Sequence, residues 1–408
     1  MLTGPLVTYP DGVEPPTLDG IIKAHNRIKS HIHRTPLLTS TTLNGLASNV
    51  VRGITSSDGR DITLQVALKC ENFQKVGAFK ARGAMNAVLK YMENEAENEK
   101  GTELHLVTHS SGNFAQALAF AAHALTSPQK SIKATIIMSR LASPIKKAGV
   151  IGYGARIVDC EPHNRLEICN DEIKRLEAEG KTVAYFPPYD HVDIIEGQGT
   201  CMVEVAEQAQ DIWGAGTAPD IVLCPIGGGG LMSGVAIASK GYWGEHGVKV
   251  VGAEPSGAND AHGSFYSKTW QPAIAPINTV CDGLLTATGN ITYPALVANV
   301  DDILLAEDES TIRAMKFIWE RMKIIIEPSS ALAPATILGN ELGGPEDSTE
   351  WRRIVQQAVL AKIEKGVAGP ISLRVVVVIS GGNVALTSVL KMFEELEDPK
   401  NEPLNADV

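Results

Sequence analysis

Ile221-Val222-Leu223-Cys224-Pro225-Ile226-Gly227-Gly228-Gly229-Gly230-Leu231 is the stretch whose reading decides the fold class of this chain. Residues 221–225 are continuously apolar, as in a strand buried on both faces, and residues 231–240 carry a helical pattern. Between them stand Gly227, Gly228, Gly229 and Gly230. A strand, a glycine loop and a helix start form a phosphate cradle in α/β proteins. Without Cβ atoms the backbone approaches the anion closely, and the free N–H groups of the helix start point at its oxygens. No Gly-Lys-Ser/Thr follows, which excludes a phosphate-loop nucleotidase. A purely structural tight turn is the plain alternative.

Working outward, short β-branched runs at 104–108, 134–138, 155–158, 248–253 and 373–379 alternate with helical stretches at 113–125, 143–151, 164–179, 199–210 and 330–338. A further helix begins at Leu18. This alternation predicts an α/β protein with parallel sheets flanked by helices. Two groups of strands imply two lobes with a ligand cleft between them. The expected division is a small substrate domain at 104–190 and a large discontinuous domain at 1–103 and 191–408. Segments 45–61 and 343–369 read as inserts, the first a polar surface loop and the second carrying a charged helix. Residues 1–17 read as a loose extension and the tail after Glu395 as frayed. There is no internal repeat and no separate C-terminal regulatory domain in this reading.

The chain's 408 residues are enough for two cores. Aromatic residues at 5%, against abundant Gly, Ala and Val, suit close-packed α/β layers better than a β-sandwich. A net charge of −11 argues against nucleic acid or an anionic membrane as the main partner. Cys70, Cys160, Cys169, Cys201, Cys224 and Cys281 include no Cys-x-x-Cys pair and read as buried thiols in a reducing compartment. No basic segment with an apolar run opens the chain, and no stretch approaches the ~20 apolar residues that span a bilayer. A cytoplasmic protein is the expectation.

Gly77-Ala78-Phe79-Lys80-Ala81-Arg82 places one lysine after an apolar, glycine-led run. An apolar setting disfavours the ammonium, lowers its pKa and frees the nucleophilic amine that a Schiff base requires. The plain alternative is a lysine that snorkels to water. Ser110-Ser111-Gly112-Asn113 lies between a strand and a helix, where it serves either as a helix cap or as a carboxylate site. Ser380-Gly381-Gly382-Asn383 ends the last strand, at the edge where parallel sheets bind ligands. A dinucleotide site is the competing reading of the glycine loop. Gly228, Gly230 and Gly234 have G-x-G-x-x-x-G spacing, and Glu254 stands where a ribose-binding acid would sit, although the strict G-x-G-x-x-G is absent.

Together these segments resemble one family, the pyridoxal-phosphate enzymes of fold type II (tryptophan synthase β-like), and within it the serine racemases and serine/threonine dehydratases. The resemblance runs from Ile21 to Met392. It rests on Thr35-Pro36-Leu37, Glu71-Asn72-Phe73-Gln74-Lys75, Phe79-Lys80-x-Arg82-Gly83-Ala84, Ser110-Ser111-Gly112-Asn113, Gly197-Gln198-Gly199-Thr200, the glycine loop, Ala253-Glu254-Pro255, Asp282-Gly283 and Ser380-Gly381-Gly382-Asn383-Val384. It implies a pyridoxal 5′-phosphate cofactor with Lys80 as its Schiff-base lysine and residues 227–230 around its phosphate. Asn113 would bond its ring hydroxyl, Phe79 would pack by the ring, and Ser380 would face the pyridine nitrogen. A neutral hydroxyl there stabilises a pyridinium less than a carboxylate would, which suits β-elimination and proton exchange at Cα. Lys80 would take the Cα proton, and Ser111 would supply one from the other face. Biosynthetic threonine dehydratases commonly carry alanine at the Ser111 position. Ser110, Ser111 and Asn113 would bind the substrate, a β-hydroxy amino acid.

The resemblance also implies a divalent-cation site at Glu254, Ala258 and Asp260. Its two carboxylates and backbone carbonyl suit Mg²⁺, or Ca²⁺ or Mn²⁺, and that role would take Glu254 from the dinucleotide reading. A plain acidic turn is the alternative. A homodimer is expected. Several positions depart from the pattern: Phe114 replaces a histidine, residues 186–191 lack an asparagine near the substrate, and Thr41-Thr42 and Val76 stand where ATP-binding members have Ser-Ile and threonine. ATP is therefore not carried over as an effector. Racemisation with serine or threonine dehydration is the leading reading, and a dedicated threonine/serine or 3-hydroxyaspartate ammonia-lyase is the second. A nicotinamide oxidoreductase and a catalytically weak regulatory cofactor-binding protein are the remaining alternatives.

Overall fold

Apolar runs too continuous for a half-solvated strand build the centre of two sheets. In the computed structural model, which describes residues 8–54, 59–96, 103–345, 347–367 and 369–396, the strands are β1 (Leu37–Thr39), β2 (Ile62–Cys70), β3 (Glu103–His109), β4 (Ser131–Ser139), β5 (Arg156–Cys160), β6 (Thr182–Tyr185), β7 (Ile221–Pro225), β8 (Lys249–Pro255), β9 (Asp302–Ala306) and β10 (Ile371–Ile379). One sheet has the order β1-β2-β10-β7-β8-β9 and the other β5-β4-β3-β6. All neighbours are parallel except β1, which runs antiparallel to β2 with Leu37 opposite Lys69. Val375, Val376, Val377 and Val378 are all buried, so β10 lacks the in–out alternation of a surface strand.

Helices cover both faces of the six-stranded sheet. The helix Gly230–Trp243 packs on one face and Pro328–Leu338 on the other. Small residues let neighbouring helices approach closely. A Cβ at Gly234 would lie 2.4 Å from the Ile195 carbonyl oxygen and 2.5 Å from the Gly199 nitrogen. The glycine that completed the dinucleotide spacing is thus a contact between helices. For the same reason the helix expected at 199–210 extends over Val192–Trp213. Its Gly197 and Gly199 admit neighbours and do not stop it.

Two expectations need correction. Segment 45–61 is not a surface loop in its first part: the helix Thr41–Val50 buries Leu43, Ala47 and Val50, and Val51 and Ile54 follow them inside. The charged segment 343–369 is core covering as well as insert, because the helix Thr349–Glu364 buries Trp351, Ile354, Val355, Ala358 and Val359 in the core that holds Ile371 and Leu373. Strands β1, β2, β6 and β9 are additions to the sequence reading. β2 escaped it because Thr63, Gln65 and Lys69 interrupt its apolar run. Residues 1–7 and the tail beyond 396 lie outside the described residues.

All six cysteines are buried and free. Among the described residues no helix is long and apolar enough to cross a membrane. The carboxyl ends of β3, β7 and β10 lead directly into the segments at 110–113, 227–230 and 380–383, so both sheets present their loops to one cleft.

Candidate active site

Gly77 has φ +70°, and a Cβ there would stand 2.8 Å from Asn383 Oδ1, so only glycine fits this turn. The turn is pinned to the loop after β10: Phe79 N–H donates to the Ser380 carbonyl (3.0 Å) and Gly382 N–H to the Gly77 carbonyl (2.9 Å). This clamp sets Lys80 as the first residue of the helix Lys80–Ala96. Its Nζ donates to the Pro188 carbonyl oxygen at 2.7 Å and lies 5.1, 5.7 and 6.0 Å from the ring centres of Phe79, Phe114 and Tyr189. Burial lowers its pKa to about 7. The positive end of the helix dipole disfavours the ammonium in the same direction.

A cavity of about 420 Å³ holds Phe79, Lys80, Ser110, Ser111, Asn113, Gly227, Gly228, Gly229, Gly230 and Ser380 in its wall. Every cofactor, substrate and catalytic position expected from the sequence meets there. Gly229 has φ +84°, and a Cβ on Gly228 would overlap the Tyr189 ring at 2.5 Å, so the backbone conformation and the close approach of Tyr189 require glycine in this loop. Ser380 is buried, with its Oγ 3.0 Å from Ser330 Oγ. Ser111 Oγ accepts the Ser139 N–H at 2.8 Å, and Ser110 Oγ faces the Gly112 N–H at 3.4 Å. The backbone N–H groups opening the helix Asn113–Leu125 lie beside these hydroxyls.

The cavity also contains groups that the sequence reading did not assign. Glu327 is 2% exposed and accepts from Asn113 Nδ2 at 3.0 Å, and burial pushes its carboxyl up to about 7. Its only sequence signal is a carboxylate interrupting the apolar run 324–326 ahead of Pro328. Lys146, from the helix Pro144–Gly152, pairs with Asp282 of the opposite wall. Arg165 lines the mouth, and His109, desolvated to a pKa of about 4, stacks on Tyr185.

Glu254, Ala258 and Asp260 do not reach this cavity. They form a separate buried group at the end of β8 and in the turn that follows it. Glu254 accepts the N–H groups of Ala261 (2.9 Å) and His262 (2.7 Å), so it reads a local turn and no ribose. Burial raises Glu254 to about 8 and Asp260 to about 6, and Asp260 Oδ2 has no hydrogen-bond partner. Among the described residues no cluster of three or more His, Cys, Asp or Glu side chains is placed to hold a metal. The Glu254 group offers two carboxylates and a carbonyl. The unpartnered Asp260 Oδ2 beside a second buried carboxylate fits a hard divalent cation.

A family model described as pyridoxal-phosphate dependent enzyme matches residues 28–355. The serine racemase of Dictyostelium discoideum is 37% identical over 378 residues, which span 92% of this chain and 98% of that protein. The L-threo-3-hydroxyaspartate ammonia-lyase of Saccharomyces cerevisiae is 38% identical over 332 residues, spanning 81% and 90%. The crystal structure of the Dictyostelium discoideum serine racemase superposes with a TM-score of 0.69 at 35% identity, covering 91% of this chain and 99% of that one. The chain belongs to the fold type II pyridoxal-phosphate enzymes, in the serine racemase and serine/threonine dehydratase family. It is a serine racemase-like enzyme of the racemase and ammonia-lyase class, and the nicotinamide reading is set aside.

Proposed function

We propose that this enzyme racemises serine and eliminates water from L-serine or L-threonine. The carrying observation is one cavity that presents the amine of Lys80, its pKa lowered to about 7, and the hydroxyl of Ser111 together with the glycine loop at 227–230. These residues fit pyridoxal phosphate, because the glycines of 227–230 line the same cavity as Lys80 at a helix start, and among the described residues no carboxylate pairs with Lys80. When bound, that cofactor supplies a carbonyl for the substrate amine and a ring that accepts the Cα electron pair.

In this reading the backbone N–H groups of 227–230 hold the phosphate, Asn113 meets the ring hydroxyl, Phe79 packs by the ring and Ser380 stands at the ring nitrogen. Ser110 and the adjoining helix start hold the substrate carboxylate. Lys80 takes the Cα proton as general base at neutral pH, because burial leaves its amine substantially unprotonated. Ser111 Oγ accepts the Ser139 N–H, which orients the hydroxyl and leaves its O–H hydrogen to give and a second lone pair to accept a proton. Return of a proton to the opposite face inverts Cα. Loss of the β-hydroxyl as water instead leaves an enamine that hydrolyses to a keto acid and ammonia. Glu254, Asp260 and the Ala258 carbonyl hold the Mg²⁺, in a structural role away from the reacting atoms. Residues 104–190 serve as the substrate domain over the cofactor domain.

A second reading, 3-hydroxyaspartate elimination, is favoured by Lys146 and Arg165. Both are cations in the cavity wall, where a second substrate carboxylate would need them. A panel of L- and D-serine, threonine and 3-hydroxyaspartate, scored for ammonia and chirality, separates the two. Ser111→Ala is expected to abolish racemisation and action on D-substrates while sparing L-elimination. Retained racemisation removes Ser111 from its role. A preference for 3-hydroxyaspartate without racemisation selects the second reading.

A further inference from the structure

Asn113 does not choose its own orientation. An amide side chain presents its oxygen or its NH₂ to the pocket according to what its neighbours demand. Here both edges are committed. Asn113 Nδ2 donates to Glu327 Oε1 at 3.0 Å, with Oε2 at 3.3 Å, and Asn113 Oδ1 accepts from Asn383 Nδ2 at 3.0 Å. Asn383 Nδ2 is itself directed, because it also donates to the Val76 carbonyl at 2.7 Å. Val76 has φ +57°, an unfavourable conformation for a β-branched residue, and that carbonyl direction is what the contact holds.

Glu327 is fixed just as firmly. Its Oε2 accepts the Asn383 backbone N–H at 3.0 Å, and its own N–H donates to the Gly381 carbonyl at 3.0 Å. With both oxygens engaged and the side chain buried, it acts through Asn113 rather than on a reacting atom. Asp282 and Lys146 are the charged groups acting on it from the cavity wall, and they are already paired with each other.

We propose that Glu327 is the positioning residue for Asn113. Its carboxylate, with Asn383 on the other edge, forces the NH₂ of Asn113 rather than its oxygen to be the group offered to the cofactor's ring hydroxyl. An oxygen in that place would face an oxygen. The proposal rests on the reading of Asn113 as the ring-hydroxyl partner.

The test is a titration of apoprotein with pyridoxal phosphate, read by visible absorbance as a Kd, alongside thermal melting of the apoproteins. Asn113→Ala and Glu327→Ala are each expected to weaken binding about tenfold, the worth of one charge-assisted or well-aligned hydrogen bond. The double variant is expected to be no weaker than the worse single, because one residue acts through the other. Glu327→Gln keeps a carbonyl acceptor for Asn113 Nδ2 and is expected within about threefold of the parent. If Glu327→Ala does not fold, Asn383→Ala takes its place in the cycle with the same expectation. Multiplied losses in the double variant, equal damage from Gln and Ala, or an unaffected Kd in Glu327→Ala overturn the proposal while Asn113 stands. An unaffected Kd in Asn113→Ala overturns the reading of Asn113 and the proposal with it.

Discussion

Lys69 is fully buried and Lys80 half-buried in the cavity wall, and their surroundings make them opposites. Lys69, on β2, donates to Glu204 at 2.6 Å, Gln208 at 2.9 Å and the Thr35 carbonyl at 2.7 Å. Arg82 completes that cluster, reaching Glu71 at 2.6 Å and Glu204 at 2.7 Å. Burial lowers the pKa of Lys69, and Glu204 opposes the change. Lys80 has one carbonyl and three aromatic rings. A buried cation with carboxylates is a strut tying β2, the turn after it and two helices. A desolvated amine without them is suited to react, which is the role proposed for Lys80.

The comparison is broken first by removing the reagent. Lys80→Ala is expected to cost at least about 10⁴-fold in turnover and to abolish any borohydride-trapped cofactor adduct, while far-UV circular dichroism stays unchanged. An adduct that survives on another lysine refutes the assignment. Removing the strut is expected to act on stability instead. Arg82→Met leaves Glu71 and Glu204 facing each other without their main partner and should cost about 3–5 kcal/mol in urea unfolding. Lys69→Met should cost less, because Glu204 keeps Arg82. The reverse order breaks the picture of Arg82 as the hub.

A fourth variant gives Lys80 what Lys69 has. Tyr189→Glu places a carboxylate beside the amine and should raise its pKa by about 1–3 units, slowing acylation of the apoprotein amine at pH 7. An unchanged rate would show that the rings and not the missing carboxylate control the amine. The smallest effect is on stability against pH. The folded pKa of Lys80, about 7, lies below its ordinary 10.5, so between these values the native state binds fewer protons than the unfolded one. Stability then rises with pH across that window. Apo Lys80→Met should melt a few degrees above the parent at pH 6, with the difference gone near pH 10.5. A gap that does not change with pH is a packing effect.

The two lysines were not equally legible. Lys80 stands in Gly77-Ala78-Phe79-Lys80, where apolar neighbours along the chain already announce a dry setting, and Gly77 fits the turn that the structure shows. Lys69 ends a mixed run whose neighbours reveal nothing of Glu204, its partner 135 residues away. The glycine loop and the strands at 221–225 and 373–379 were readable because parallel strands and glycine loops are written in consecutive residues. β2 was not, because Thr63 and Gln65 break its apolar run and Lys69 finds its partners elsewhere in the fold.

By itself the sequence determined the layered α/β plan and singled out Lys80, the glycine loop and the serines as candidates, since each depends on residues adjacent in the chain or on a repeated pattern. Only the tertiary structure decided which charges are struts and which are free to react. It also decided that Gly234 is a helix contact, and that Glu327 and Asn383 grip Asn113 from 214 and 270 residues away. A pKa and an amide's orientation are set by what lies within a few ångströms, and the chain does not record those distances until it folds.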